Sequence, residues 1–271
     1  MENSHVVLTR ELLLSENFKN QELSLEEVTD YGCDRYGDPD HLKIYGLSPK
    51  KWHSKGIRLL GRMAAECVRD PLGQFLSDNL HVILHPLGDM RTTVIDPFAG
   101  SCNLLLWAKK GLAATRSVGW EHDIFVYNAV CANLRKLDAE VEYIFGDFRD
   151  CVRRVTDVSG HRIAILLSPP WGAALSDSHG LDLLKTTPPV PSLIDFFTYA
   201  YGAKNTVIFI VQIHERVASD ALLTVQGKLT WSETLMEPGG VPGHRSGFLI
   251  GESKRDGFRQ WPSTVTLLTA E

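Results

Sequence analysis

Thr92-Thr93-Val94-Ile95-Asp96-Pro97-Phe98-Ala99-Gly100-Ser101-Cys102-Asn103 has the residue order of a strand, a turn and the start of a helix. Thr92 to Ile95 are β-branched or apolar and read as a buried strand. Pro97 has no amide N–H for a ladder, so a central strand must stop there. Gly100 and Ser101 carry little bulk, and backbone at such a turn approaches a ligand closely. Leu104-Leu105-Leu106-Trp107-Ala108-Lys109-Lys110 then reads as a helix, with Gly111 expected just past its end. A strand, a small-residue turn and a helix N-terminus make a cradle at the carboxyl end of a parallel sheet.

The same grammar repeats downstream. Strands are predicted over Arg116–Glu121, Val141–Phe145, Arg162–Leu167 and Asn205–Val211, with helices over Ile124–Leu137, Arg149–Val155, Ser192–Tyr201 and Glu215–Val225. Two late strands, Lys228–Met236 and Ser246–Ser253, flank Glu237-Pro238-Gly239-Gly240-Val241-Pro242-Gly243. Five βα-type units followed by a hairpin predict an α/β, doubly wound, Rossmann-like sheet, mostly parallel with an antiparallel edge. Upstream, Ser48 as N-cap and Pro49 at the first helical position open a helix expected to run to Val68. A second helix is expected over Pro71–Asn79, then a short strand or connector at His81–His85. Residues 1–46 read as an N-terminal helical extension, or lid, over a catalytic domain spanning 47–271, and Val6–Arg10 as a short strand.

Composition bounds the function. The chain has 271 residues, 44% hydrophobic, enough for one large core with an appendage. A net charge of −5 argues against dominant, non-specific phosphate binding. Five scattered cysteines, with no C-x-x-C pair, point away from zinc or a disulfide framework and towards a reducing, cytoplasmic setting. No metal site is expected. Glu2 to Lys19 does not read as a secretory leader, and no apolar run approaches the ~20 residues of a membrane span.

Four places carry chemistry, all where predicted strands end. Asp96 and Gly100 follow the first, with Phe98 and Asn103 beside them. Glu121 ends the second, about twenty residues after the glycine turn, where a carboxylate accepts both hydroxyls of a ribose; the alternative is a helix N-terminal acid. The G-x-G-x-x-G pattern that a dinucleotide needs is missing. Gly146-Asp147-Phe148 ends the third strand: Asp147 is placed to accept from an adenine amine, and Phe148 to stack on the ring. Ser168-Pro169-Pro170-Trp171 ends the fourth. Its prolines expose carbonyls that no helix or ladder consumes, Ser168 adds a hydroxyl, and Trp171 offers a flat face to an aromatic or cationic substrate. Lys50, Lys51, Lys55 and Arg58 read as a solvated face or as contacts to an anionic ligand.

In this order, D-P-F-A-G-S, E, G-D-F and S-P-P-W resemble the class I S-adenosylmethionine-dependent methyltransferases. Ser168-Pro169-Pro170-Trp171-Gly172 is most similar to the trimethylguanosine synthase group, which methylates N2 of 7-methylguanosine RNA caps. Ala173 departs from that group, as does the loop Ala174–Pro191. The resemblance implies S-adenosyl-L-methionine as cofactor, with Asp96, Phe98, Gly100 and Asn103 towards its aminoacyl part, Glu121 at the ribose, and Asp147 and Phe148 at the adenine. Ser168, Pro169 and Trp171 would position an acceptor amine, either a guanine-type base or a small metabolite. RNA is not indicated by charge. Two rivals use the same fold: an enzyme cyclising S-adenosylmethionine itself to azetidine-2-carboxylate and methylthioadenosine, and a non-catalytic binding module.

Overall fold

The computed structural model describes residues 7–254, apart from 89, 157, 177 and 240–244. The elements run α1 (Arg10–Leu13), α2 (Leu25–Tyr36), α3 (Pro49–Ser54), α4 (Gly61–Glu66), α5 (Asp70–Leu84), β1 (Thr92–Asp96), α6 (Asn103–Gly111), β2 (Arg116–Glu121), α7 (Ile124–Leu137), β3 (Glu142–Phe145) and α8 (Phe148–Cys151). They continue β4 (Arg162–Leu167), β5 (Leu175–Ser176), β6 (Gly180–Leu181), α9 (Val190–Tyr201), β7 (Thr206–His214), α10 (Ser219–Gln226), β8 (Leu229–Met236) and β9 (Ser246–Ser253).

Seven strands form one sheet in the order β3-β2-β1-β4-β7-β9-β8. The first five are mutually parallel, and β9 and β8 close the edge antiparallel. The doubly wound, Rossmann-like sheet with an antiparallel edge hairpin is the one expected. β1 and β4 are buried along their whole length, which is why they read as continuous apolar or β-branched runs. Two apolar layers cover the sheet. One packs α5, α6, α7 and the N-terminal segments on one face; the other packs α8, α9 and α10 on the opposite face.

The N-terminal segments belong to the first layer. Leu13, Leu23, Val28, Leu42, Ile44, Trp52, Ile57 and Leu59 are all at most 1% exposed. Each such fully buried side chain contributes roughly 1.5–3 kcal/mol before the entropy cost of ordering it. The segment is therefore core rather than a loosely seated flap.

Several element boundaries differ from expectation. The helix predicted from Pro49 to Val68 is two short helices, because Gly56 turns the chain at φ +78 and Ile57 to Leu60 run extended, with Leu23 N–H donating to Leu59 O. His81–His85 continues α5 into a single 3-10 turn instead of forming a strand. The helix predicted over Arg149–Val155 is α8 plus a short 3-10 turn, and α9 starts two residues before Ser192. The strand expected over Val6–Arg10 is absent from the described residues: 7–9 join no strand, Thr9 caps α1 and Arg10 begins it, while Val6 lies outside the described residues. Gly111 is the last residue of α6, not the position after it. A Cβ there would sit 2.5 Å from Ser77 O, so the glycine serves the close packing of α6 on α5.

Candidate active site

From β1 the chain moves outward to β2 and β3; from β4 it moves the other way to β7. The reversal falls between β1 and β4, and in open α/β sheets ligands bind outside the carboxyl ends at such a switch point. The segments after β1, β2, β3, β4 and β7 all lie at this edge.

Asp96 ends β1 and is 2% exposed. Its Oδ1 accepts from Phe98 N–H at 3.0 Å, an Asx turn that bends the chain past Pro97. Burial pushes its pKa up to about 7, the Phe98 bond opposes this, and the nearby Glu121 carboxylate adds to the rise. Glu121 ends β2 with its side chain 10% exposed, and its Oε1 accepts from Asp123 N–H at 2.7 Å. Burial raises its pKa too, against that hydrogen bond. The helix-capping role falls to Asp123, whose Oδ1 accepts from Phe125 and Val126 N–H and whose other oxygen pairs with Arg62. Glu121 therefore does not cap α7, and its charge acts on Asp96 at the end of the neighbouring strand.

Gly100, in the turn after β1, has φ +46, and a Cβ added there would meet only Phe98 O, at 3.8 Å. The positive φ excludes most L side chains while the space above stays open. The turn is held from behind: Ala99 N–H donates to Trp120 O at 3.1 Å, Tyr143 Oη to Gly100 O at 2.9 Å, and Tyr45 Oη to Ser101 O at 2.6 Å.

Three expected site residues have other engagements. Asn103 is fully buried; its Oδ1 accepts from Tyr45 N–H at 2.7 Å, and its amide donates to Val68 O and to Asp70 Oδ1 at 2.8 and 3.1 Å. Both amide protons are consumed, so the side chain ties α6 to the N-terminal segment instead of reaching a ligand. Asp147 is forked by Arg149 through bonds of 2.8 and 2.6 Å and caps α8, and the arginine holds its pKa below the usual carboxylate range. Phe148 is buried against Phe98, Phe196 and Phe197, with ring centroids 5.5–5.9 Å apart. Its ring belongs to the core beneath the site and offers no stacking plate; Phe98 and Phe196 are the half-buried members of that cluster.

At the end of β4, Pro169 is buried and Pro170 exposed. Ser168 Oγ is buried without a hydrogen-bond partner, at a cost of about 1–3 kcal/mol if left so. Trp171 is half-buried, its ring edge-on to His214 at 6.0 Å. His214 ends β7, and its Nδ1 accepts from Arg216 N–H at 3.1 Å, which places the ring proton of the neutral imidazole on Nε2. The β8–β9 connection is tied to this edge by Arg245, whose Nε meets Glu215 Oε2 at 2.7 Å; His244 lies outside the described residues. The loop after Trp171 contains the small β5–β6 hairpin, with Leu181 and Leu183 fully buried.

Lys50, Lys51 and Lys55 are exposed on and just after α3, and Arg58 pairs with Glu22 at 2.7 Å. Sequence reasoning missed Tyr45, Arg62 and Tyr143. Each reaches the site across 43 or more residues of chain, and no local pattern marks such partners. Among the described residues no group of three or more His, Cys, Asp or Glu is arranged to hold a metal, and no helix is long and apolar enough to cross a membrane.

No protein-family model matches the sequence, and no curated protein matches it. Among solved structures it is similar to the METTL16 MTase domain, at 12% identity over 89% of this chain and 84% of that one, with a TM-score of 0.49. It is also similar to cofactor-bound Rv0187 from MTB, at 14% identity over 86% and 99%, with a TM-score of 0.47. A third is the O-methyltransferase from Bacillus cereus in complex with SAH, at 13% identity over 85% and 100%, with a TM-score of 0.46.

Proposed function

We propose that the protein is an S-adenosylmethionine-dependent methyltransferase acting on an amine nitrogen. One observation carries the reading: Asp96, buried, and Glu121, its side chain 10% exposed, end the neighbouring strands β1 and β2, the Glu121 charge raises the Asp96 pKa, and Gly100 in the turn after β1 leaves open space above its Cα. Two carboxylates brought together out of water destabilise each other's charge, and a ligand with cationic groups and hydroxyl donors relieves both. S-adenosylmethionine is such a ligand, carrying an ammonium, a sulfonium and a ribose diol. A dinucleotide adds a pyrophosphate, which two buried carboxylates repel. When bound, S-adenosylmethionine supplies an electrophilic methyl group.

The chain's own residues then have divided roles. Glu121 accepts the ribose hydroxyls, Asp96 faces the cationic end, and Gly100 lets the backbone approach. On the acceptor side the buried, unpartnered Ser168 Oγ and the carbonyls of the Ser168-Pro169-Pro170 segment hold an amine in line, and Trp171 lies against a flat substrate. Orientation of this kind supplies much of the acceleration of a group transfer, without an acid–base triad. The Ser-Pro-Pro-Trp sequence supports a guanine-type base as acceptor; a small amine metabolite uses the same groups.

The test is mass spectrometry of the protein incubated with S-adenosylmethionine, alone and with guanine nucleosides or small amines. S-adenosylhomocysteine and a methylated amine, formed only with an acceptor, support the proposal. Methylthioadenosine from the cofactor alone, or methyl transfer confined to oxygen acceptors, contradicts it.

A further inference from the structure

The Gly100–Ser101 turn is gripped by two hydroxyls from distant parts of the chain. Tyr143, on β3, donates to Gly100 O at 2.9 Å, and Tyr45, in the N-terminal segment, donates to Ser101 O at 2.6 Å. Peptide units are planar and trans, so fixing a carbonyl fixes the direction of the next N–H. The two phenols thus set the orientation of the peptide planes that line the cradle. Burial raises both phenol pKa values well above their usual range, so both remain donors throughout the working pH range.

Tyr45 is itself unusual. Its φ is +58, a left-handed conformation that costs a bulky residue about 1–2 kcal/mol. Such a conformation persists only where the surroundings over-determine it. Here they do. Tyr45 N–H donates to Asn103 Oδ1 at 2.7 Å, and Gly46 N–H donates to Asp70 Oδ2 at 2.9 Å. Asp70 Oδ1 in turn accepts from Asn103 Nδ2 at 3.1 Å and Trp107 Nε1 at 2.8 Å. One network therefore joins the Tyr45 backbone, the start of α5, the first turn of α6 and the glycine turn. Cys102, between Ser101 and Asn103, also has a positive φ, +61. Two strained residues flanking one hydroxyl–carbonyl contact mark a place where local geometry is held at a cost.

We propose that Tyr45 and Tyr143 are positioning residues for the cofactor turn, and that seating of the Tyr45–Gly46 segment and cofactor binding form one coupled equilibrium. This rests on the methyltransferase reading of the same turn. Coupling is reciprocal: if the segment's seating strengthens cofactor binding, the cofactor must stabilise the seating by the same factor.

The experiment uses the full chain and has two arms. Calorimetric titration with S-adenosylmethionine compares wild type, Tyr45→Phe and Tyr143→Phe, with Tyr201→Phe as control. Tyr201 Oη donates to Val152 O at 3.0 Å beneath the opposite face, so its loss removes a comparable hydrogen bond without touching the turn. The Tyr45 and Tyr143 variants are expected to raise Kd about 5- to 10-fold, in line with one hydrogen bond each, and the control to leave it unchanged. The second arm is amide hydrogen exchange of the wild type. Saturating S-adenosylmethionine is expected to slow exchange at Tyr45 and Gly46 by more than at buried amides of the opposite layer, such as those of β7; a purely structural role for Tyr45 leaves only the uniform slowing that global stabilisation gives. Unchanged Kd in both variants, equal weakening in the control, or exchange at Tyr45 and Gly46 slowed no more than in β7 overturns the inference. Should a variant fail to fold, the exchange arm decides alone. A wild type that binds no S-adenosylmethionine removes the methyltransferase reading itself, a result distinct from binding that the tyrosines do not affect.

Discussion

Asp96 is the residue on which the site's electrostatics turn. Burial lifts its pKa from 3.8 to about 7. The folded protein therefore keeps a proton that the unfolded chain has lost, and its stability falls as pH rises from about 4 through 7. Above the raised value the full cost is present, and a bound cation offsets it. S-adenosylmethionine is accordingly expected to bind more tightly as pH rises between about 5.5 and 7.5, as Asp96 ionises. In Asp96→Asn that slope should disappear along with much of the affinity. Calorimetric titrations at several pH values check this; a slope of equal size in the variant assigns the linkage to another group.

At the scale of elements, glycines show how tightly the helices are set. The Gly111 Cα faces the backbone of α5, where a Cβ would lie 2.5 Å from Ser77 O. Backbone cannot swing aside as a long side chain can, so Gly111→Ala is expected to destabilise the fold by ~1–3 kcal/mol, read as a lowered urea midpoint with unchanged slope. An unchanged midpoint places α5 and α6 further apart than the structure has them.

This glycine also shows what the sequence makes legible. The end of α6 was readable from the run Leu104–Lys110, but the reason for Gly111 was not, because its partner lies on another helix. The bounds of β1, β2, β4, β9 and α7 emerge as predicted, the strands from apolar and β-branched runs, with Pro97 just past the end of β1. The region 48–68 misled because Ile57, Leu60, Met63, Ala64 and Cys67 keep helical spacing while Gly56 breaks the chain between α3 and α4. Spacing alone does not separate a helix face from an extended segment buried on both sides, and Ile57 and Leu59 are such a segment, both fully buried. Asp96, Gly100, Glu121 and Ser168 stand at or just after the ends of β1, β2 and β4, and strand ends are visible in sequence. Phe148 was assigned a stacking role that its packing against Phe98, Phe196 and Phe197 denies it. Tyr45 and Tyr143 were invisible, since only the folded chain brings them to the turn.

At the scale of the whole molecule, the apolar layer containing the N-terminal segments also contains Ala99, Cys102, Leu104 and Leu105 around the glycine turn. A ligand that binds only the folded state adds RT ln(1 + [L]/Kd) to its stability, about 2.7 kcal/mol at a hundredfold excess over Kd. The most direct measurement of the central claim is calorimetric titration of the intact protein with S-adenosylmethionine, repeated on Glu121→Ala. Saturable binding to a single site is expected, accompanied by a raised unfolding temperature, with both effects lost or weakened at least tenfold in the variant. No heat of binding to the wild type, or equal affinity in Glu121→Ala, contradicts it.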